Sequence, residues 1–206
     1  VETTVFLVRH GVTDWHREHR LVGQRDLPLS ADGVAQARAA AEALAGLAIG
    51  EILCSPLLRA VQTAEIIAAP FGAAITRDPR FGELRYGRWE GMTHDELGQS
   101  ADYRRFLADP LAERLPGGEG LVQARDRAIA AVEQALRDAP AGERLAIITH
   151  TGIVRVILAH YLGAELATWH RLHIAPGSIS VLAFRDDREP PRVLATGWRG
   201  ALKEVL

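Results

Sequence analysis

Three stretches of the 206-residue chain each end an apolar run on side chains capable of chemistry. "TVFLVRHG" (4–11) ends on Arg9, His10 and Gly11. "EILCS" (51–55) ends on Cys54 and Ser55, with Arg59 shortly after. "RLAIITHTG" (144–152) ends on Thr149, His150, Thr151 and Gly152. Charged and polar groups are costly to bury without partners, so packing alone gives no reason to stop a buried run on them. Two arginines and two histidines brought together would form a compact cationic pocket. Its natural guest is a phosphoryl group, which a guanidinium holds through paired hydrogen bonds. Singly, each residue has a plainer reading: a strand-end histidine as hydrogen-bonded structure, an early-helix arginine as surface charge. Recurrence at three strand ends favours function.

The elements that must position these residues are legible in the pattern of apolar residues. Near-continuous apolar runs at 4–8, 51–54 and 144–150 predict strands covered on both faces, and "AAITRDP" predicts a third short strand in chain order. Helical spacing predicts a helix capped by Ser30 and reaching about Leu47, and another entered through Ser55–Pro56. Further helices are expected over 120–139 and 152–163, with strands at 178–184 and 192–197 near the C-terminus. Residues 82–120 are less regular, with short helices expected near 95–99 and 102–108. This alternation predicts an α/β fold, a three-layer αβα sandwich with a mostly parallel central sheet and helices on both faces. In such sheets ligands bind at the carboxyl ends of the strands, where helix N-termini favour anions.

Composition narrows the function classes. A 48% hydrophobic chain of this length can form one domain with an ample core, and no linker-like stretch divides 1–206. The formal net charge of −2 argues against nucleic acid or an acidic membrane as partner. Lys203 is the only lysine among 24 basic residues, which removes lysine Schiff-base chemistry and a GxxxxGK[ST] phosphate loop. Cys54 is the single cysteine, so disulfides within the chain and cysteine zinc sites are excluded. No leader pattern or run of about 20 apolar residues is present, and a cytoplasmic protein is the expectation. His16 with His19, and His170 with His173, have helical pair spacing, but neither pair has an evident third ligand, so no metal is expected.

"LVRHGVTDW", "CSPLLRAVQTAEII", "FGELRYGRWEGMTHDEL", "PGGE" and "ITHTGIVR", in this order over residues 4–184, resemble the histidine phosphatase superfamily in its phosphoglycerate mutase-like branch. The resemblance implies that His10 is the nucleophile that carries the phosphoryl group, with Arg9, Arg59 and His150 neutralising its oxygens. It implies that Glu83 is the general acid and base. Gly11, Thr13, His16, Val22, Gly23 and Thr151 fall where the family meets substrate, and no cofactor is implied. His16 stands where asparagine is usual, Val12 replaces a frequent Glu or Gln, Val22 a frequent polar residue, and Thr151 a usual glycine. Read from the residues alone, Glu83 could equally be a loop carboxylate paired with Arg85 or Arg88.

The leading expectation is a cofactor-independent phosphatase that hydrolyses a small-metabolite phosphomonoester through a phosphohistidine. One alternative is a phosphoglycerate mutase; the other is a non-catalytic phospho-ligand binding protein. "GELRYGRWEG" matches the phosphatase side of the family, whereas mutases usually carry an "ERHYG"-like segment and longer insertions. A lid-like insertion around 92–120 is expected to choose the substrate. Sugar phosphates, phosphoglycerates, phosphoserine and α-ribazole phosphate all stay open, as does oligomeric state, with a homodimer among the options.

Overall fold

The computed structural model describes residues 2–112, 114–185, 189–202 and 206. Its strands are β1 (Thr3–Arg9), β2 (Glu51–Cys54), β3 (Ile75–Arg77), β4 (Arg144–Thr149), β5 (Ile179–Phe184) and β6 (Arg192–Trp198). They form one sheet in the order β3-β2-β4-β1-β5-β6. The pairs β1–β4, β2–β4 and β2–β3 are parallel. β5 runs antiparallel to both β1 and β6. The sheet is therefore mixed, with β5 alone opposed to the common direction.

Successive residues of β1 face opposite sides of the sheet, as the two-residue period of a strand requires. Val5 and Leu7 join a core under α6 (Leu121–Asp138) and α7 (Thr151–Tyr161). Phe6 and Val8 join a second core under α2 (Ala31–Leu44) and α3 (Leu58–Ala68). All four side chains are fully buried, and the result is the expected three-layer αβα sandwich. Among the described residues no helix is long and apolar enough to cross a membrane.

Two helix boundaries differ from expectation for identifiable reasons. Ser30 caps α2 by accepting the Gly33 N–H, as expected, but the helix ends at Leu44. Gly46 follows in the left-handed region (φ 80°), where the chain turns. α3 does not start at Ser55–Pro56; its N-cap is Leu57, and the Ser55 hydroxyl both accepts the Leu57 N–H at 3.2 Å and reaches His150. A one-turn 3-10 helix at Pro79–Phe81 leads into the irregular stretch, which holds another at Gly87–Trp89. The short helices α4 (His94–Gln99) and α5 (Ala101–Ala108) follow, each beginning one residue earlier than expected. A one-turn helix, α1 (Asp14–Arg17), lies just after β1.

Candidate active site

Strand register brings the two histidines together. Arg9 is the partner of Thr149 across the parallel β1–β4 pair, and the His10 N–H donates to the Thr149 carbonyl at 3.0 Å. One residue further on, the His10 and His150 rings sit edge to face, 4.9 Å between centroids. β2 lies on the other side of β4, and the Ser55 N–H donates to the Ile148 carbonyl at 2.9 Å. Its hydroxyl then reaches His150 Nε2 at 2.7 Å. Three strand ends thus converge at the carboxyl edge of the sheet.

His10 is 2% exposed, and two hydrogen bonds fix its tautomer. Nδ1 lies 2.6 Å from the Gly11 carbonyl, which can only accept, so Nδ1 carries the proton. Nε2 accepts from Arg59 Nε at 3.1 Å, so the lone pair is on Nε2. Burial, then the charges of Arg59 and Arg9, hold the imidazole pKa well below its usual range. The ring is neutral and presents Nε2 as its nucleophilic atom.

Arg59 is 1% exposed, and backbone carbonyls aim it. Nη1 donates to Arg25 at 2.8 Å and Nη2 to Gly23 at 2.7 Å. Arg9 Nη1 donates to the Ile174 carbonyl at 2.6 Å, while its buried Nε has no protein partner among the described residues. Burial pushes both guanidinium pKa values down to about 10, so both remain cationic at neutral pH. His150 is fully buried, and its Nδ1 also lacks a protein partner among the described residues. Burial and Arg59 depress its pKa well below the usual range.

His16 completes the rim. Its Nδ1 accepts the Thr13 N–H at 3.1 Å and lies 3.0 Å from the Thr13 hydroxyl, which leaves the proton on Nε2. Burial, then Arg9 and Arg59, lowers its pKa to about 4, so it is a neutral donor and adds no charge where asparagine is usual. Its ring stands 5.7 Å from that of His10. Close backbone approach seats this loop on α2: a Cβ on Gly11 would overlap the Gly33 carbonyl, and one on Gly33 would overlap the Val12 carbonyl.

Glu83 enters from the irregular stretch and is 7% exposed. Oε1 accepts the Leu84 N–H at 2.9 Å, and Oε2 faces the Gly152 N–H at 3.4 Å in the first turn of α7. A Cβ at position 152 would come within 2.5 Å of Oε1, so glycine there makes room for the carboxyl. Burial raises the Glu83 pKa against the opposing pull of those N–H groups, Arg59 and Arg9. A carboxyl whose pKa is raised by burial even with a guanidinium pair nearby suits general acid work. Glu83 is not paired with Arg85 or Arg88, since Arg85 instead faces Glu119 at 3.6 Å.

The structure therefore gathers Arg9, His10, Gly11, Thr13, His16, Arg59, Glu83 and His150, with Gly23 acting through its carbonyl. Thr151 opens α7 beside His150, where helix N–H groups lack intrahelical acceptors. Val22 stands apart: its side chain is buried and its carbonyl closes a turn by accepting the Arg25 N–H. Sequence reasoning missed three contributors. Ser55 reads as a strand end and helix entry, Gly152 as a strand end and helix start, and nothing in the sequence singles out Gln24, whose Nε2 donates to the Glu83 carbonyl at 2.5 Å. The helical spacing of His16 and His19 is not realised: α1 ends at Arg17, His19 has φ 54°, and its ring lies 6.3 Å from that of His94.

Known proteins match this chain over nearly its whole length. A family model described as "Histidine phosphatase superfamily (branch 1)" matches residues 5–196. "Probable phosphoglycerate mutase GpmB" of Salmonella choleraesuis is 37% identical over 196 residues, 94% of this chain and 89% of that protein. Among solved structures, Bacillus stearothermophilus YhfR superposes with a TM-score of 0.87 at 29% identity, covering 96% of this chain and 98% of that one. A mycobacterial glucosyl-3-phosphoglycerate phosphatase in complex with VO3 gives 0.85 at 28% identity, covering 96% and 99%. With the match running through nearly the whole chain, this protein belongs to the histidine phosphatase superfamily.

Proposed function

We propose that the protein is a phosphomonoesterase that hydrolyses a small phosphorylated metabolite through a phosphohistidine on His10. The observation that carries this reading is the fixed His10 tautomer. Nδ1–H is tied to the Gly11 carbonyl and the Nε2 lone pair faces the Arg59 guanidinium, in a site shared with Glu83, whose pKa burial raises. In the first step the Nε2 lone pair attacks phosphorus, the bond to the leaving oxygen breaks, and Glu83 donates its proton to that oxygen. Arg59 Nε–H, released from Nε2, then donates to a non-bridging phosphoryl oxygen. Arg9 Nε–H and His150 supply further donors where charge develops. In the second step the Glu83 carboxylate takes a proton from water as the water oxygen attacks phosphorus. The P–N bond breaks, and its electron pair returns to Nε2.

Two guanidiniums beside neutral imidazoles support one phosphoryl dianion as the group bound, and the expected lid around 92–120, whose residue 113 lies outside the described residues, is proposed to select the remainder of the molecule. The vanadate complex of the mycobacterial relative supports the same chemistry here, and vanadate is expected to inhibit. A second reading is favoured by the GpmB relative, named a probable phosphoglycerate mutase. A phosphatase lets water reach the phosphoenzyme, whereas a mutase excludes it and returns the phosphoryl group to the product. The test offers 3-phosphoglycerate with a trace of 2,3-bisphosphoglycerate, beside a panel of phosphometabolites, and follows inorganic phosphate and 2-phosphoglycerate. Phosphate release from a member of the panel is expected. Rapid 2-phosphoglycerate formation with negligible phosphate release would select the mutase.

A further inference from the structure

Glu83 belongs to no helix or strand, so something outside its own segment must hold it. Two carbonyls of that segment point at one side chain on α6. Arg127 Nη1 donates to the Arg80 carbonyl at 2.5 Å, and Nη2 to the Glu83 carbonyl at 3.1 Å. Arg127 is itself held by a bidentate pair with Glu119: Nε to Oε2 at 3.0 Å and Nη2 to Oε1 at 2.7 Å. Glu119 Oε1 also accepts the Arg85 N–H at 3.1 Å, and the Glu119 N–H donates to the Arg85 carbonyl at 3.1 Å. Glu119 is 2% exposed. Gly118 passes so close that a Cβ there would overlap the Arg85 carbonyl.

We propose that Glu119 and Arg127 form a clamp that positions Glu83, a role that rests on the general-acid reading of Glu83 given above. Buried ion pairs add little net stability, because desolvation offsets their attraction. What this pair adds is direction. The forked guanidinium meets both ends of residues 80–83, and Gln24 also donates to the Glu83 carbonyl, so the carboxyl is held beside Gly152. A lysine at 127 would keep the charge but lose the fork.

The test compares Arg127→Lys and Glu119→Gln with Glu83→Gln, on an alkyl phosphomonoester and on an activated aryl phosphate whose leaving oxygen needs little protonation. Displacing a catalytic group by about 1 Å costs roughly 10²-fold. Both clamp variants should lose kcat/KM on that scale for the alkyl ester and much less for the aryl ester. In the Glu83→Gln background, where there is no acid left to position, Arg127→Lys should add little further loss. Equal losses on both esters, repeated unchanged in the Glu83→Gln background, would assign the pair a purely structural role and overturn the proposal. Should Glu83→Gln itself fail to separate the two esters, the reading of Glu83 falls, and the clamp with it. Glu119→Gln keeps shape and one acceptor oxygen, and it carries the test alone if Arg127→Lys does not fold.

Discussion

His10 and Glu83 are tuned in opposite directions by the same cause. Burial keeps the imidazole unprotonated and pushes the carboxyl pKa up, because each group is least costly in a low dielectric when neutral. A neutral nucleophile therefore faces a carboxyl that holds its proton more tightly than usual, with positive charge supplied by two guanidiniums. This division makes the pH dependence of the first step definite in sign. Glu83 must enter protonated, so kcat/KM for a poor leaving group should be level at low pH and fall as pH rises through its elevated pKa. Glu83→Gln should abolish that limb and lower kcat/KM by about 10²–10⁴-fold for alkyl esters, with a smaller loss for aryl esters. Initial rates over a pH series with both ester types check this. An unchanged limb in the variant would assign the titration to another group.

At the scale of elements, much of the site was legible because parallel strand ends carry it. The R-H-G and T-H-T-G segments are adjacent in space for the same reason that both read as buried strands: β1 and β4 pair in register. What was hidden depends on contacts between distant segments. Ser55 is a good cap residue by type, and only its approach to His150 reveals its use. Arg127 lies on a clearly amphipathic helix and is not singled out by type, and Glu119 reads only as part of the "PGGE" motif, so their pairing with the Glu83 segment stays hidden. Gly11 and Gly33 belong to the same hidden class, since their close approach locks the loop after β1 to the first turn of α2. Gly11→Ala meets backbone rather than flexible side chain there. Overpacking of this kind should cost about 1–3 kcal/mol and, by moving the carbonyl that holds His10 Nδ1, lower kcat as well. Urea midpoints together with kcat measure both effects; an alanine variant with wild-type values would show that the loop has slack.

Across the whole molecule, the buried imidazoles couple folding to pH. His10, His16 and His150 stay neutral in the folded state because of burial and the nearby arginines, whereas in the unfolded chain each takes up a proton near pH 6.5. Between the folded and unfolded pKa values the unfolded state binds more protons, so stability falls as pH is lowered through this window. Each group contributes at most about 1.4 kcal/mol per pH unit. Glu83 acts with the opposite sign above about pH 4.5, but it is one group against three. Unfolding free energy from urea titrations should therefore decline from pH 7 to pH 5, and His16→Asn should make the decline shallower. A flat profile in both proteins would contradict the neutral-imidazole assignment.

The most direct test of the central claim is to catch the phosphoryl group on the atom that the fold presents. Rapid acid-free quenching of the wild-type protein with labelled substrate, followed by digestion, should give an acid-labile, base-stable phosphoramidate on Nε2 of His10. His10→Ala should retain the fold and lose both label and turnover. Label on a serine, an aspartate or another histidine, or full activity in the alanine variant, would contradict the account.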